Sequence, residues 1–147
     1  MEQKAQALLE RARYGHLSTT DENGYPYTIG VNILFLDGSF YFHCATAGEK
    51  LENIKRDPKV CINVDEMFEI KSEGVIEPCK VGVRYESVVA RGRAYIVEDE
   101  GRRMELLNEI VRKFTPQLAD VPIPPEAAKR TSLVEIVVDS FAYKEHG

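Results

Sequence analysis

A chain of 147 residues with 44% hydrophobic and 29% charged content is long enough for a real core and ordinary for a globular protein. Nineteen lysines and arginines against 24 acidic residues leave a formal charge of -5, which excludes the broad basic face that nucleic-acid binding needs. No apolar run approaches the ~20 residues of a membrane span, and the charged N-terminus has no signal-peptide core, so no membrane partner is expected. Cys44, Cys61 and Cys79 are odd in number and widely spaced, which points to neither a disulfide framework nor a metal knuckle. A reduced, cytoplasmic protein with a single domain over residues 1–147 is the expectation.

Residues 2–13 carry Ala5, Leu8, Leu9 and Ala12 on one stripe, a short amphipathic helix ending before Gly15. YGHLSTT (14–20) reads as a first strand closed by the turn-rich DENG at 21–24. Residues 26–36 read as one long second strand. Its odd positions Tyr27, Ile29, Val31, Ile33 and Phe35 form an apolar face, while Thr28, Gly30 and Asn32 are small or polar. Such a strand suits a wall between core and ligand, and equally an ordinary solvent-facing side.

After Asp37-Gly38, a hairpin dipeptide, comes FYFHCATAGEK at 40–50. Aromatic residues form a buried strand that runs directly into a helix over 48–56, stopped at Asp57-Pro58. Thr46 and Glu49 have capping-box spacing. A helix start offers free N–H groups and partial positive charge, and Lys50 adds a full charge, so a phosphate fits here. The same pattern also opens helices that bind nothing, and Glu49 would repel an anion unless it folds back onto the cap.

Residues 60–69 alternate as a fourth strand, 71–82 form a loop, and 83–98 form a fifth. Val88, Ala90, Gly92, Ala94 and Ile96 share one unusually small face, which suits a strongly coiled barrel wall or a close approach. Asp99 caps a helix to Phe114, Pro125 opens a short helix, and residues 132–143 close the chain as a sixth strand. The expected fold is mainly β with helices, a six-stranded antiparallel barrel.

The stretch from Gly15 to Asp65 resembles the FMN-binding split-barrel group related to pyridoxamine 5'-phosphate oxidase, and more narrowly the nitroimidazole-resistance (Nim-type) flavoproteins. Gly15-x-Leu17, Gly24-Tyr-Pro-Tyr27, Phe42-His-x-Ala45, Gly48-x-Lys50, Asp57-Pro58-x-Val60 and the later Tyr85-x-Ser-Val88 carry the likeness by their order and spacing. The resemblance implies a homodimeric split barrel holding FMN between subunits. Lys50 would then bind the phosphate, and Phe42, His43, Cys44 and Ala45 would line the flavin. Thr28, Asn32 and Ser87, with backbone around Ile29 and Val88, would contact the ring or ribityl chain. His43 would have a catalytic role near the flavin, or be a structural histidine bonded within the sheet.

On this resemblance the expected function is an oxidoreductase reducing a small-molecule acceptor such as a 5-nitroimidazole. A flavin- or haem-binding protein without turnover and a pyridoxamine- or pyridoxal-phosphate enzyme are the alternatives. No Gly-x-Gly-x-x-Gly follows a strand, so a nicotinamide would visit as a substrate.

Overall fold

Period-two segments of this chain become seven strands, one more than the sequence pattern suggests. The computed structural model describes residues 2–147. Helix α1 (Gln3–Arg11) precedes β1 (Tyr14–Thr20), β2 (Pro26–Asn32), β3 (Leu34–Leu36) and β4 (Ser39–Ala45). Then come α2 (Glu49–Arg56), β5 (Lys59–Lys71), β6 (Gly82–Ile96), α3 (Glu100–Phe114), α4 (Pro125–Lys129) and β7 (Thr131–His146). The strands form one antiparallel sheet in the order β2-β1-β5-β6-β7-β4-β3.

The extra strand comes from a break at Ile33. Residues 26–36 are not one strand: β2 pairs with β1 and β3 pairs with β4, at opposite ends of the sheet order. Ile33 leaves the ladder. Its N–H donates to the Arg13 carbonyl at 3.2 Å and its carbonyl accepts from Lys113 Nζ at 2.8 Å. One residue therefore joins the two sheet edges and closes the sheet into a barrel that is split beside it. The next turn is local chemistry: Asp37 (φ 51°) and Gly38 (φ 82°) adopt the two positive φ angles that a tight hairpin requires.

Two apolar clusters lie on opposite faces of β4. Phe40 and Phe42 point into the barrel with Leu17, Ile62, Val88 and Ile136, and α1 and α2 add Leu8, Leu9, Leu51 and Ile54. Tyr41 points outward and packs with Leu34 and Leu133 beneath Leu106, Leu107 and Ile110 of α3 and Ala128 of α4. Covering on both faces explains why residues 39–42 are all buried, against the alternation of a half-exposed strand. Asp99 caps α3 as expected, its carboxylate accepting from Arg102 N at 2.7 Å.

The small positions of β6 serve the core. Ala90 and Ala94 are buried there, and a Cβ on Gly92 would stand 2.3 Å from the Val137 carbonyl oxygen. Glycine thus lets β7 approach at the register shift between Arg91 and Gly92. Strands β1 and β5 separate β6 from β2, so these small residues are two strands away from Thr28, Gly30 and Asn32.

Candidate functional site

Splitting the barrel at Ile33 leaves two strand edges without partners. Among the described residues β2 pairs with β1 alone, so its other edge is free. Strand β4 pairs with β3 through Tyr41, but Phe42, His43, Cys44 and Ala45 pair with β7 alone. Free backbone N–H and C=O groups thus flank a slot between β2 and the second half of β4, and such groups need hydrogen-bond partners. Strand β4 leads from this slot directly to the start of α2.

That helix start differs from the sequence expectation. Gly48 (φ 145°) is the N-cap residue, and no side chain caps the helix, so the Thr46–Glu49 capping box does not form. The first N–H groups of α2 consequently have no side-chain partner, while Glu49, which does not close the capping box, and Glu52 place two carboxylates in the same turn as Lys50. Lys50 is half-buried in the first turn and, among the described residues, makes no ion pair. Burial pushes the Cys44 thiol up, and the Lys50 charge pulls it back down, which places the two groups within electrostatic reach. The helix itself is held on β1 by the buried Asn53, whose Nδ2 donates to Thr19 Oγ1 at 3.0 Å. Arg56 adds a bond to the Thr20 carbonyl at 3.2 Å.

Of the residues selected from sequence, Ile29, Asn32, Phe42, His43, Cys44, Ala45 and Lys50 border the slot or the helix start. The Phe42 ring is 1% exposed in the core, so Phe42 offers the slot backbone rather than its ring. Ile29 likewise packs its side chain against the barrel core. His43 and Ala45 are exposed, and Asn32 donates from Nδ2 to the Arg13 carbonyl at 3.2 Å.

Thr28 shares the β2 edge with Ile29 but turns its side chain away from the core, and Ser87 and Val88 lie elsewhere within one chain. Thr28 faces outward and shares a hydroxyl hydrogen bond with Ser18 at 2.8 Å. Asn63 Nδ2 donates to Ser87 Oγ at 3.3 Å and to the Val88 carbonyl at 3.2 Å. The Val88 side chain is fully buried. Strand β6 is separated from β4 by β7 and from β2 by β5 and β1, so Ser87 and Val88 do not border the same chain's slot. Tyr14, unremarked in the sequence, crosses the outer face: a Cβ on Gly30 would overlap its ring, and His16 packs edge-on to it at 5.5 Å.

A cavity of about 390 Å³ adjoins the slot where Asn32 and His43 line it. Its other walls come from α3 (Leu107, Ile110, Val111, Phe114), Ile123, and Ala127 and Ala128 of α4, with Thr115 and Thr131 at the edges. The α3 residues read as an ordinary core stripe in sequence, and nothing local distinguishes a stripe that meets a cavity from one that meets side chains. Beside this wall Lys113 is half-buried and donates to the Ala12 and Ile33 carbonyls. Burial, aided by Arg13, pushes its pKa down to about 8.

An antiparallel split barrel with a slot at its seam defines the class to which the comparisons point. The pyridoxamine 5'-phosphate oxidase family model matches residues 1–145, and the chain belongs to that family. No curated protein matches the sequence. Among solved structures, a candidate 5-nitroimidazole antibiotic resistance protein from Bacteroides thetaiotaomicron superposes with a TM-score of 0.84 at 23% identity, covering 97% of this chain and 82% of that one. The FAD and haem binding protein from Mycobacterium smegmatis superposes at 0.87 with 13% identity, over 100% of this chain and 72% of that one. An F420 reductase superposes at 0.60 with 25% identity, over 93% and 94% of the two chains. Among the described residues, no helix is long and apolar enough to cross a membrane.

Proposed function

We propose that this chain is a flavin-dependent oxidoreductase that binds FMN at the slot and passes electrons to a small acceptor such as a 5-nitroimidazole or related nitro-aromatic. The observation that carries this reading is the pair of free strand edges leading to the uncapped, Lys50-bearing start of α2. A flavin ring has nitrogen and carbonyl groups along one edge, which suit free backbone. Its phosphate suits a helix N-terminus with an unpaired lysine. Family membership and the likeness to the resistance protein and the F420 reductase add support.

In this reading the flavin supplies the redox chemistry when bound. Lys50 and the α2 N–H groups hold the phosphate, and the edges of β2 and β4 orient the ring. The exposed His43 imidazole holds the proton that reduction of a nitro group consumes along with electrons. Ser87 and Val88 reach a flavin only from a second copy of the chain, which is why we take the assembly to be a two-fold homodimer. Free Cys44, Cys61 and Cys79 suit a reducing, cytoplasmic setting.

Mass spectrometry of the ligand released from purified protein is the test, with FMN expected. Photoreduced protein should then reoxidise on adding a 5-nitroimidazole. Failure to take up FMN would overturn the reading. The likeness to the FAD and haem protein favours a second possibility, flavin or haem binding without turnover. A sharp haem band, or bound flavin inert to every acceptor, would select it. Oxidation of pyridoxamine 5'-phosphate, the activity for which the family is named, runs the other way, and would show as bleaching of the oxidised flavin when that amine is added without oxygen.

A further inference from the structure

We infer that the cavity between α3, α4 and β4 is the acceptor pocket of the proposed enzyme, and that it admits neutral, flat, mainly apolar molecules while rejecting anions. The inference rests on the flavin reading for the word acceptor, and on the cavity itself for the class of ligand.

Position comes first. Asn32 ends β2 and His43 lies on β4, so the two residues that border the slot also line the cavity. A molecule seated there has one end at the slot and its body between α3 and α4. A volume of about 390 Å³ lies near the lower end of the range for small-ligand pockets, which suits one or two rings.

Polarity comes second, and it is concentrated at the slot end. Four of the eleven lining residues carry polar side chains. Thr115 Oγ1 donates back to the Val111 carbonyl at 3.2 Å, and Thr131 Oγ1 donates to the Ala127 carbonyl at 3.1 Å. With those protons engaged, the α3–α4 end behaves as an apolar chamber. One Asn32 N–H is taken by Arg13, which leaves its carboxamide oxygen, its second N–H and the His43 ring to meet a ligand.

Charge comes third. Among the described residues, no acidic, lysine or arginine side chain lines the cavity. Lys113, the neighbouring cation, directs its ammonium group to the Ala12 and Ile33 carbonyls. His43 stands at the slot end, so an anion seated between α3 and α4, away from that imidazole, would lose water without gaining an ion pair, a costly exchange. A neutral ring loses little and gains apolar contact with Leu107, Ile110, Val111 and Phe114.

The test uses two probes with one ring and different charge, 4-nitrobenzyl alcohol and 4-nitrobenzoate, titrated calorimetrically into flavin-loaded and flavin-free protein. The neutral probe should bind at least tenfold tighter than the anion. Ala127→Phe, which pushes a ring into the cavity from α4, should weaken the neutral probe tenfold or more and leave FMN affinity unchanged. Val111→Phe fills the same space from α3 and replaces it should circular dichroism show that Ala127→Phe does not fold. Equal affinity for both probes, or undiminished binding in both filled variants, would overturn the inference. So would a neutral probe that never binds while Ala127→Phe turns a dimer into monomers, since the cavity would then seat a second copy. Loss of FMN uptake with the probe pattern intact would instead sink the flavin reading alone.

Discussion

On β4 the outward residues Tyr41 and His43 meet α3, α4 and the cavity between them, whereas on β1 and β2 the outward residues His16, Ser18, Thr28 and Gly30 are exposed or half-buried and, among the described residues, belong to neither apolar cluster. The covered side is apolar, with Tyr41 and Leu133 packed beneath Leu106 and Ile110. The bare side is polar and internally bonded, through Ser18 with Thr28 and Asn63 with Ser87. The split seam lies between them. A flat molecule at that seam would have an apolar chamber on one side and a polar sheet surface on the other. The difference gives the two parts of one sheet different chemistry, an apolar cavity where helices cover it and an exposed hydrogen-bonded surface where they do not.

The largest expected effect falls on the covered side. His43→Ala should keep the yellow flavin spectrum but slow reoxidation by a 5-nitroimidazole by ~10²–10⁴-fold, the usual contribution of a positioned proton donor. Stopped-flow flavin absorbance across pH reads it, and equal rates with flavin intact would make His43 structural.

Removing the barrel's inward face should cost nearly as much in another currency, stability. Phe42→Ala should lose about 3–5 kcal/mol in urea unfolding, through transfer and cavity terms together. On the bare face Thr28→Ala should stay within about 0.5 kcal/mol. Comparable losses at the two positions would contradict the inward and outward assignment.

Lys50→Ala should weaken FMN by about 1.5–3 kcal/mol, the range for a hydrogen bond to a charged group. Riboflavin, lacking the phosphate, should bind as before. Unchanged FMN affinity in fluorescence titrations would move the phosphate away from α2.

The smallest effect concerns the cation behind the cavity wall. Burial disfavours the charge of Lys113 and pushes its pKa down to about 8 in the fold, from the ordinary lysine value of 10.5. Between those values the unfolded chain holds a proton that the native chain has released, so stability should rise with pH across that window. Thermal unfolding from pH 7.5 to 9.5 should show this rise in the wild type and a flatter profile in Lys113→Met. Parallel profiles would mean that the amine stays charged in the fold.

Much of this protein was legible before any coordinates. Alternation and turn residues placed β1, β4, β5, β6 and β7 within a few residues, and Asp99 marked the start of α3. The run from Phe40 to Lys50 announced a strand passing into a helix with a cation in its first turn, because those signals are local in sequence. Tertiary structure alone decided the break at Ile33, since its cause lies in Arg13 and Lys113, bonded to it across 20 and 80 positions. It also decided that Gly48 rather than Thr46 opens α2, and that Ser87 stands away from the slot. The cavity emerged the same way, for a helical stripe specifies what it wants to bury but not whether the opposing strand will fill the space. Period and propensity act over a few residues and fix elements; the pairing of distant edges fixes which of their faces meet.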